Sequence, residues 1–306
     1  MDKFDVVVVG TVCTDIIFHG LQSFPELGEE IWAKGMEVTT GGAMNTPAAL
    51  ARLGLQVGLA TPVGNDFWSQ LNLSMVHKEG ISSRFILFLD QPSPQLSVAL
   101  NYQGDRAFVS YSEPLLLEQY QQHILKVIHQ TNVRHFHFYT SPDSGHTDLI
   151  RAAKAAGKTI SLDSGWNPDW LRSEDIWEQI SLADLFLPNL PEAQLITGRQ
   201  DPQEALETLA AHAPTVVIKL GEQGAICRSD GRVFTAEAFP TTPIDATGAG
   251  DCFVAGFLYG WLKELPLHNC LQIANYCGAS CVAQVGGFAG APNEHQLRKD
   301  LLLKDL

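Results

Sequence analysis

The sequence predicts an α/β fold: a mostly parallel central sheet covered by helices on both faces, with a small separate β-sheet beside it. Three observations carry this expectation. Val6-Val7-Val8-Val9 before Gly10 is an unbroken apolar run, the pattern of a strand buried on both faces. Short apolar runs recur at 58–62, 135–139, 159–163, 185–188 and 216–220, with helical patterns between them at 46–53, 69–79, 149–156 and 202–212. Two stretches break this alternation, 16–19 with 30–40 and 96–100 with 106–111, and read as strands joined by turns rather than helices.

In chain order, the first strand leads to Asp15 at its carboxyl end, where ligands bind on open α/β sheets. The strands at 16–19 and 30–40 run into Gly41-Gly42-Ala43-Met44-Asn45 and the helix that follows. The strands at 96–100 and 106–111 are separated by the turn signal Gln103-Gly104-Asp105. Four strands without helices fit poorly into a helix-covered sheet. They are expected to form a β lid from about 14–40 and 95–112, with one face needing cover from the site or a dimer partner. Alternation then continues to residues 245–260, where an acidic, glycine-rich turn enters an apolar helix. With no repeat, linker or low-complexity tract, the chain reads as one domain over 1–306.

Composition narrows the function. At 306 residues, 45% hydrophobic and 18% charged, the chain is an ordinary globular protein with a substantial core. A formal charge of −14 argues against nucleic acid, whose binding needs clustered cations. An anionic ligand would have to be held by backbone donors, a metal or a few placed cations. The start of the chain lacks the pattern of a signal peptide, and the longest apolar run, 252–262, is too short to span a bilayer. Six cysteines (Cys13, Cys227, Cys252, Cys270, Cys277 and Cys281) form no disulfide framework and fit buried thiols in a reducing cytoplasm.

Several motifs point away from chemistry. Gly157-Lys158-Thr159 ends like a P-loop, but it enters a strand and Ala152 stands where the first glycine belongs. Gly248-Ala249-Gly250 is no dinucleotide fingerprint, because Phe253 occupies the third glycine position. Cys270, Cys277 and Cys281 share a helix face near His268, yet match no closed zinc site. His135 and His137 alternate with Phe136 and Phe138 and are expected to fill space or make structural hydrogen bonds.

Two motifs do point to chemistry. In Asp245-Ala246-Thr247-Gly248-Ala249-Gly250-Asp251, glycines allow close backbone approach and the helix start offers N–H groups to an anion, with the Asp251 carboxylate in the first turn. An anion cradle beside a carboxylate suits transfer of a phosphoryl group to a hydroxyl that must lose its proton. In Gly41-Gly42-Ala43-Met44-Asn45, the asparagine presents donor and acceptor to a polyhydroxylated ligand, or serves as a plain N-cap. Asp15 can accept from a vicinal diol, or form an Asx turn.

Together with Pro188-Asn189-Leu190-Pro191-Glu192 and Lys219-Leu220-Gly221-Glu222-Gln223-Gly224, these residues resemble the ribokinase-like (PfkB) family of carbohydrate kinases over essentially the whole chain. The resemblance implies a three-layer α/β/α fold with a β lid. It implies Asp251 as the base, with the N–H groups of Gly248, Ala249 and Gly250 holding charge on the transferred phosphoryl group. Asp15, Gly41, Gly42 and Asn45 would bind the substrate's hydroxyls. Lys219, Gly221, Gly224 and Thr247 would line the ATP site, with Asn275 toward the adenosine. Asn189 and Glu192 would order Mg²⁺ through its waters, and carbonyls of Asp245 and Thr247 with the 285–291 loop would hold K⁺. A cytoplasmic homodimer joined through the β lid is implied as well.

One departure bears on the substrate. Ribose-specific members carry Lys-Gly where this chain has Ala43-Met44, so no ammonium reaches the pocket from there and Met44 is expected to turn an apolar side chain toward it. A fructose-like hexose or keto-deoxy sugar acid is therefore favoured over ribose, with Arg106 as the candidate partner of a carboxylate. A nucleoside kinase is the alternative, with Trp32, Tyr102 or Phe108 stacking on a base, ahead of a non-catalytic regulatory relative. A nucleotide-dependent oxidoreductase lacks its glycine fingerprint.

Overall fold

In the computed structural model, which describes residues 3–102, 105–130 and 132–301, the order of elements follows the predicted alternation. The N-terminal part comprises β1 (Phe4–Val9), β2 (Val12–His19), β3 (Gly35–Gly42), α1 (Asn45–Arg52), β4 (Val57–Ala60), β5 (Pro62–Val63), α2 (Phe67–Lys78), β6 (Leu87–Phe88), β7 (Gln95–Tyr102) and β8 (Asp105–Ser112). The middle comprises α3 (Leu117–Gln130), β9 (Val133–Tyr139), α4 (His146–Ala155), β10 (Thr159–Asp163), α5 (Pro168–Leu171), α6 (Ile176–Leu182), β11 (Leu185–Phe186), α7 (Leu190–Thr197), α8 (Pro202–Ala210) and β12 (Thr215–Lys219). A hairpin, β13 (Ala225–Ser229) and β14 (Arg232–Ala236), precedes α9 (Ala249–Leu262), α10 (Leu267–Val282) and α11 (Glu294–Asp300).

The central sheet has the order β14-β13-β12-β11-β10-β9-β1-β4. All neighbours from β4 to β12 are parallel, and the hairpin adds two antiparallel strands at one edge. The period of a strand divides the valines of β1 between two cores. Val6 and Val8 pack with Ala48, Leu50, Phe257 and Leu258 from α1 and α9, while Val7 and Val9 pack with Ile124, Phe136, Phe138 and Ile150. This is the three-layer arrangement in physical terms. The turn at Gly157, with φ of 72°, joins α4 to β10, as its exclusion as a P-loop requires.

A second, four-stranded sheet has the order β3-β2-β7-β8. Register places Asp15, Thr39, Ser97 and Ser110 in one row of one face, with Ile17, Glu37, Ala99 and Phe108 in the next. The opposite face carries Thr14 and Thr40, which donate to Asn72 Oδ1 of α2 at 2.9 and 3.2 Å. Beyond that contact the same face exposes Met36, Val38, Val109 and Tyr111.

Two expectations change here. The strand expected over 30–40 begins only at Gly35, and ahead of it the Lys34 amide reaches β2, donating to His19 O at 3.1 Å. Asp15 lies inside β2, paired with Thr39 and Ser97, so it forms no Asx turn after the first strand. Gln103 and Gly104 of the expected turn, and the side chain of Arg106, lie outside the described residues.

Candidate active site

The turn into α9 is fixed by one carboxylate. Asp245, 5% exposed, accepts from the Thr247 amide at 2.9 Å and hydroxyl at 2.7 Å through Oδ1, and from the Gly286 amide at 3.0 Å through Oδ2. It thereby ties residues 245–248 to the 285–291 loop. Gly248 follows with φ of 72°, and a Cβ there would stand 1.7 Å from the Gly287 carbonyl oxygen, so only glycine closes this contact. Ala249, Gly250 and Asp251 then form the first turn of α9, whose leading N–H groups have no intrahelical partner.

Asp251 gathers donors from elements far apart in sequence. Asn45 Nδ2 donates to Oδ2 at 3.0 Å, while Tyr139 OH and Thr46 Oγ1 donate to Oδ1 at 3.1 and 3.3 Å. Burial and the neighbouring Asp251 hold the Tyr139 phenol well above its ordinary range, which keeps it a donor. Asn45 makes no side-chain cap to α1, so its work is at Asp251, and its Oδ1 is buried beside Gly287 without a hydrogen bond among the described residues. Turning that amide would aim Oδ1 at the carboxylate, so the network fixes its orientation.

Asp15 faces the same region from the small sheet. A Cβ on Gly41 would fall 2.0 Å from its Oδ2, and the Cys13 thiol donates to Oδ1 at 3.3 Å. Burial pushes the Asp15 carboxyl up; Cys13 opposes this and the negative Asp245 adds to it. Gly42, with φ of 61°, turns the chain tightly over Thr11 O before α1.

The ends of β10 and β12 bring a cation to the cradle. Lys219 Nζ lies 2.8 Å from both oxygens of Asp163, and a methyl group built on Gly250 would stand 3.6 Å from that ammonium. Burial raises Asp163 to about 7 against the pull of Lys219. Burial acts to lower Lys219, but Asp163, Glu192 and Asp251 together raise it. Next door, Asn189 and Glu192 cap α7 reciprocally, and Glu192 Oε2 also accepts from Ser164 Oγ at 2.8 Å. With those atoms engaged, the pair suits a metal held through water better than direct ligation. No group of three or more His, Cys, Asp or Glu able to hold a metal occurs among the described residues.

Other expected site residues have structural work. Gly224 allows the backbone at 236–238 to approach, since its Cβ would fall 2.1 Å from Ala236 O. Gly221, with φ of 62°, faces open space. Asn275 Nδ2 donates to Ala236 O at 3.1 Å and Glu237 O at 2.9 Å, bracing the end of β14. Met44 is fully buried in the core with Ala48 and Val8, so the expectation that it reaches the pocket is corrected: it faces inward from the turn before α1. His135 and His137 form a buried chain with Thr159 and Ser161, as structural hydrogen bonders should. Sequence reasoning missed Thr46, Tyr139, Asp163 and Ser164. The available signal was position, because Tyr139 and Asp163 end parallel strands on the ligand-binding side of the sheet.

This geometry agrees with comparisons to known proteins. The model of the pfkB family carbohydrate kinases matches residues 3–294. The chain belongs to that family. It is 28% identical to a cytidine kinase of Thermococcus kodakarensis over 88% of this chain and 92% of the relative, and 28% identical to a 2-dehydro-3-deoxygluconokinase of Bacillus subtilis over 87% and 86%. Ribokinase of Arabidopsis thaliana, solved with ribose and ATP, superposes with a TM-score of 0.82 at 21% identity, covering 97% of this chain and 98% of that one. An E. coli protein assigned as ribokinase II, solved with ATP and Mg²⁺, superposes at 0.83 with 24% identity over 98% and 99%. The pfkB protein described here is thus a sugar or nucleoside kinase, a phosphotransferase acting on a hydroxyl group. Among its described residues no helix is long and apolar enough to cross a membrane.

Proposed function

We propose that this kinase uses ATP and Mg²⁺ to phosphorylate a hydroxyl of a sugar or sugar derivative, with Asp251 as the base. The observation that carries the reading is Asp251 in the first turn of α9, oriented by Asn45, Thr46 and Tyr139 beside the open face of Gly250. In this reading the acceptor hydroxyl gives its proton to Asp251 as its oxygen bonds to the γ-phosphorus and the bond to ADP breaks. The N–H groups of Gly248, Ala249 and Gly250 hold the charge on the phosphoryl oxygens. Asp15, Gly41, Gly42 and Asn45 hold the substrate, and the small sheet, 14–40 with 95–112, closes over it as a lid on a single domain. Lys219, Gly221, Gly224 and Thr247 line the ATP side. Asn275 acts there through the 236–237 backbone. Mg²⁺, which would neutralise phosphate charge, is held through its waters by Asn189 and Glu192. The 245–248 turn and 285–291 loop are the place for K⁺.

A fructose-like hexose or a keto-deoxy sugar acid remains favoured over ribose, on the absence of a lysine at Ala43. The buried Met44 takes no part in that choice. One observation favours a second reading. Phe108, 56% exposed, lies on the Asp15 face of the small sheet and could stack on a nucleobase. The apolar patch of Met36, Val38, Val109 and Tyr111 on the other face supports a homodimer joined there. Val109→Asp should then give a monomer by light scattering, and an unchanged mass would count against that interface.

The deciding assay is ADP release from Mg·ATP with ribose, fructose, other hexoses, 2-keto-3-deoxygluconate, adenosine, cytidine and pseudouridine. Asp251→Asn, folded and able to bind ATP, should lose most turnover on the active compound. Near-full activity in that variant would refute the base assignment.

A further inference from the structure

Lys219 is poorly explained as a structural cation. Its ammonium is nearly buried, with a side chain 12% exposed, and is held by Asp163 at 7%. The Asp163 tether is itself fixed, because Asp163 Oδ1 also accepts from the Ser164 amide at 2.9 Å. Ser164 in turn binds Glu192 of the α7 cap, linking the ion pair to the carboxylate placed for the metal's waters. The local charge is lopsided. Three carboxylates, Asp163, Glu192 and Asp251, act on this one ammonium. Three carboxylates in a partly dry site are costly unless more positive charge arrives or is already there.

The direction of the ammonium is the informative part. Around Gly250 the nearest atoms to an added Cβ, within 4 Å, are Lys219 Nζ at 3.6 Å and Cε at 4.0 Å. The ammonium therefore looks into the space over the first turn of α9, where the Ala249 amide makes only a long 3.4 Å bond to Ala246 O, with Asp251 in the same turn. An object held there would meet backbone donors on one side and a point cation on the other. A tetrahedral or trigonal phosphoryl group has that distribution of charge on its oxygens.

We propose that Lys219 is a catalytic residue that binds the phosphoryl group in flight, and that Asp163 and Ser164 are positioning residues that hold its ammonium across from the Gly248–Gly250 donors. The proposal deepens the kinase reading above and rests on it. The ammonium forms and breaks no covalent bond. With two of its three N–H donors held by Asp163, it keeps the third on the oxygens of the phosphorus while the bond to ADP breaks and the bond to the acceptor forms. Its role is thus distinct from general attraction of ATP, which would act equally on the α- and β-phosphates.

The test separates these roles. Lys219→Met is measured for turnover on the panel substrate. It is also measured, without any acceptor, for binding of Mg·ADP and of Mg·ADP with beryllium fluoride, which places fluorides where γ-phosphoryl oxygens sit. The expected result is a kcat loss of about 10²–10³-fold, the scale of one removed oxyanion donor. Mg·ADP affinity should stay within about threefold by that same logic, while the gain from beryllium fluoride is lost. Lys219→Arg should restore part of both. If Lys219→Met strands Asp163 and fails to fold, the neutral pair Lys219→Met with Asp163→Asn provides the same measurement. Asp163→Asn alone should lower kcat by about tenfold without raising the KM for ATP, since it loosens the ammonium without removing it. A folded Lys219→Met with near-normal kcat overturns the proposal. So does an equal loss of ADP and beryllium fluoride complexes, which would make the lysine a general nucleotide anchor. Because beryllium fluoride binding requires no base, the outcome for Lys219 holds whichever way Asp251→Asn behaves.

Discussion

Gly250→Ala is expected to leave the fold intact while removing most turnover, because the two faces of this position are so different. On the protein side the substitution is benign. Gly250 lies within α9 and has no left-handed φ, so alanine fits the helix and reduces the freedom of the unfolded chain. That exchange stabilises a helix by about 0.5–1 kcal/mol at most, a rise of about 1–3 °C in Tm for a chain of this size. On the open side the new methyl group stands 3.6 Å from Lys219 Nζ, in the space where the phosphoryl group is proposed to sit. A phosphoryl group cannot share that space with it. Losing even one oxyanion contact costs about 10²–10³ in kcat, or about 2.7–4 kcal/mol. The assay is coupled ADP release on the active substrate beside a thermal melt of the same preparation. A stable variant with wild-type turnover would refute the placement of the phosphoryl group over Gly250.

Gly248→Ala should behave in the opposite way: its Cβ meets Gly287 O at 1.7 Å and its φ is left-handed, so a loss of about 2–5 kcal/mol in urea unfolding is expected. Met44→Ala should cost about 2–5 kcal/mol through the cavity it opens, with the order of preferred substrates in the panel unchanged; a shifted preference would return Met44 to the pocket. Tyr139→Phe removes one donor to Asp251 and should lower kcat by about tenfold, as expected for a hydrogen bond to a charged group. Acid should destabilise the protein below the ordinary histidine value of 6.5. His135, His137 and His146 are all held down by burial, His137 to about 3, so the unfolded chain binds more protons and stability falls with pH through that window. Asp163 and Asp15, raised by burial, act in the opposite sense but are outnumbered, and urea midpoints at pH 7 and 5 check the net sign.

Much of this was legible in the sequence because it depends on local pattern. The valines of β1, the alternation of strand and helix, and the turn into α9 each follow from the type and spacing of neighbouring residues. The small sheet was legible too, as strands lacking helices. What escaped was set by register and packing. Asp15 seemed to follow a strand, but β2 begins at Val12 and encloses it. Met44 resembled a pocket residue because it sits in a glycine motif, whereas the tight turn at Gly42 sends it into the core. Tyr139 and Asp163 carry no motif of their own, and only the order of strands in the sheet brings them to the turn at 245–251. The β13–β14 hairpin likewise had no place in a strictly alternating reading.

The partners of Asp251 lie 112, 205 and 206 positions away along the chain. Separations of that kind close late in folding, after the local helices and neighbouring strands have formed. With Asp251 as the base proposed above, a chain still emerging from the ribosome, or one half-refolded, would have no assembled base and no means of squandering ATP. In a refolding experiment, kinase activity should return with the slowest structural phase and with none of the earlier ones. The enzyme's turnover thus doubles as a readout of whether its two ends have met.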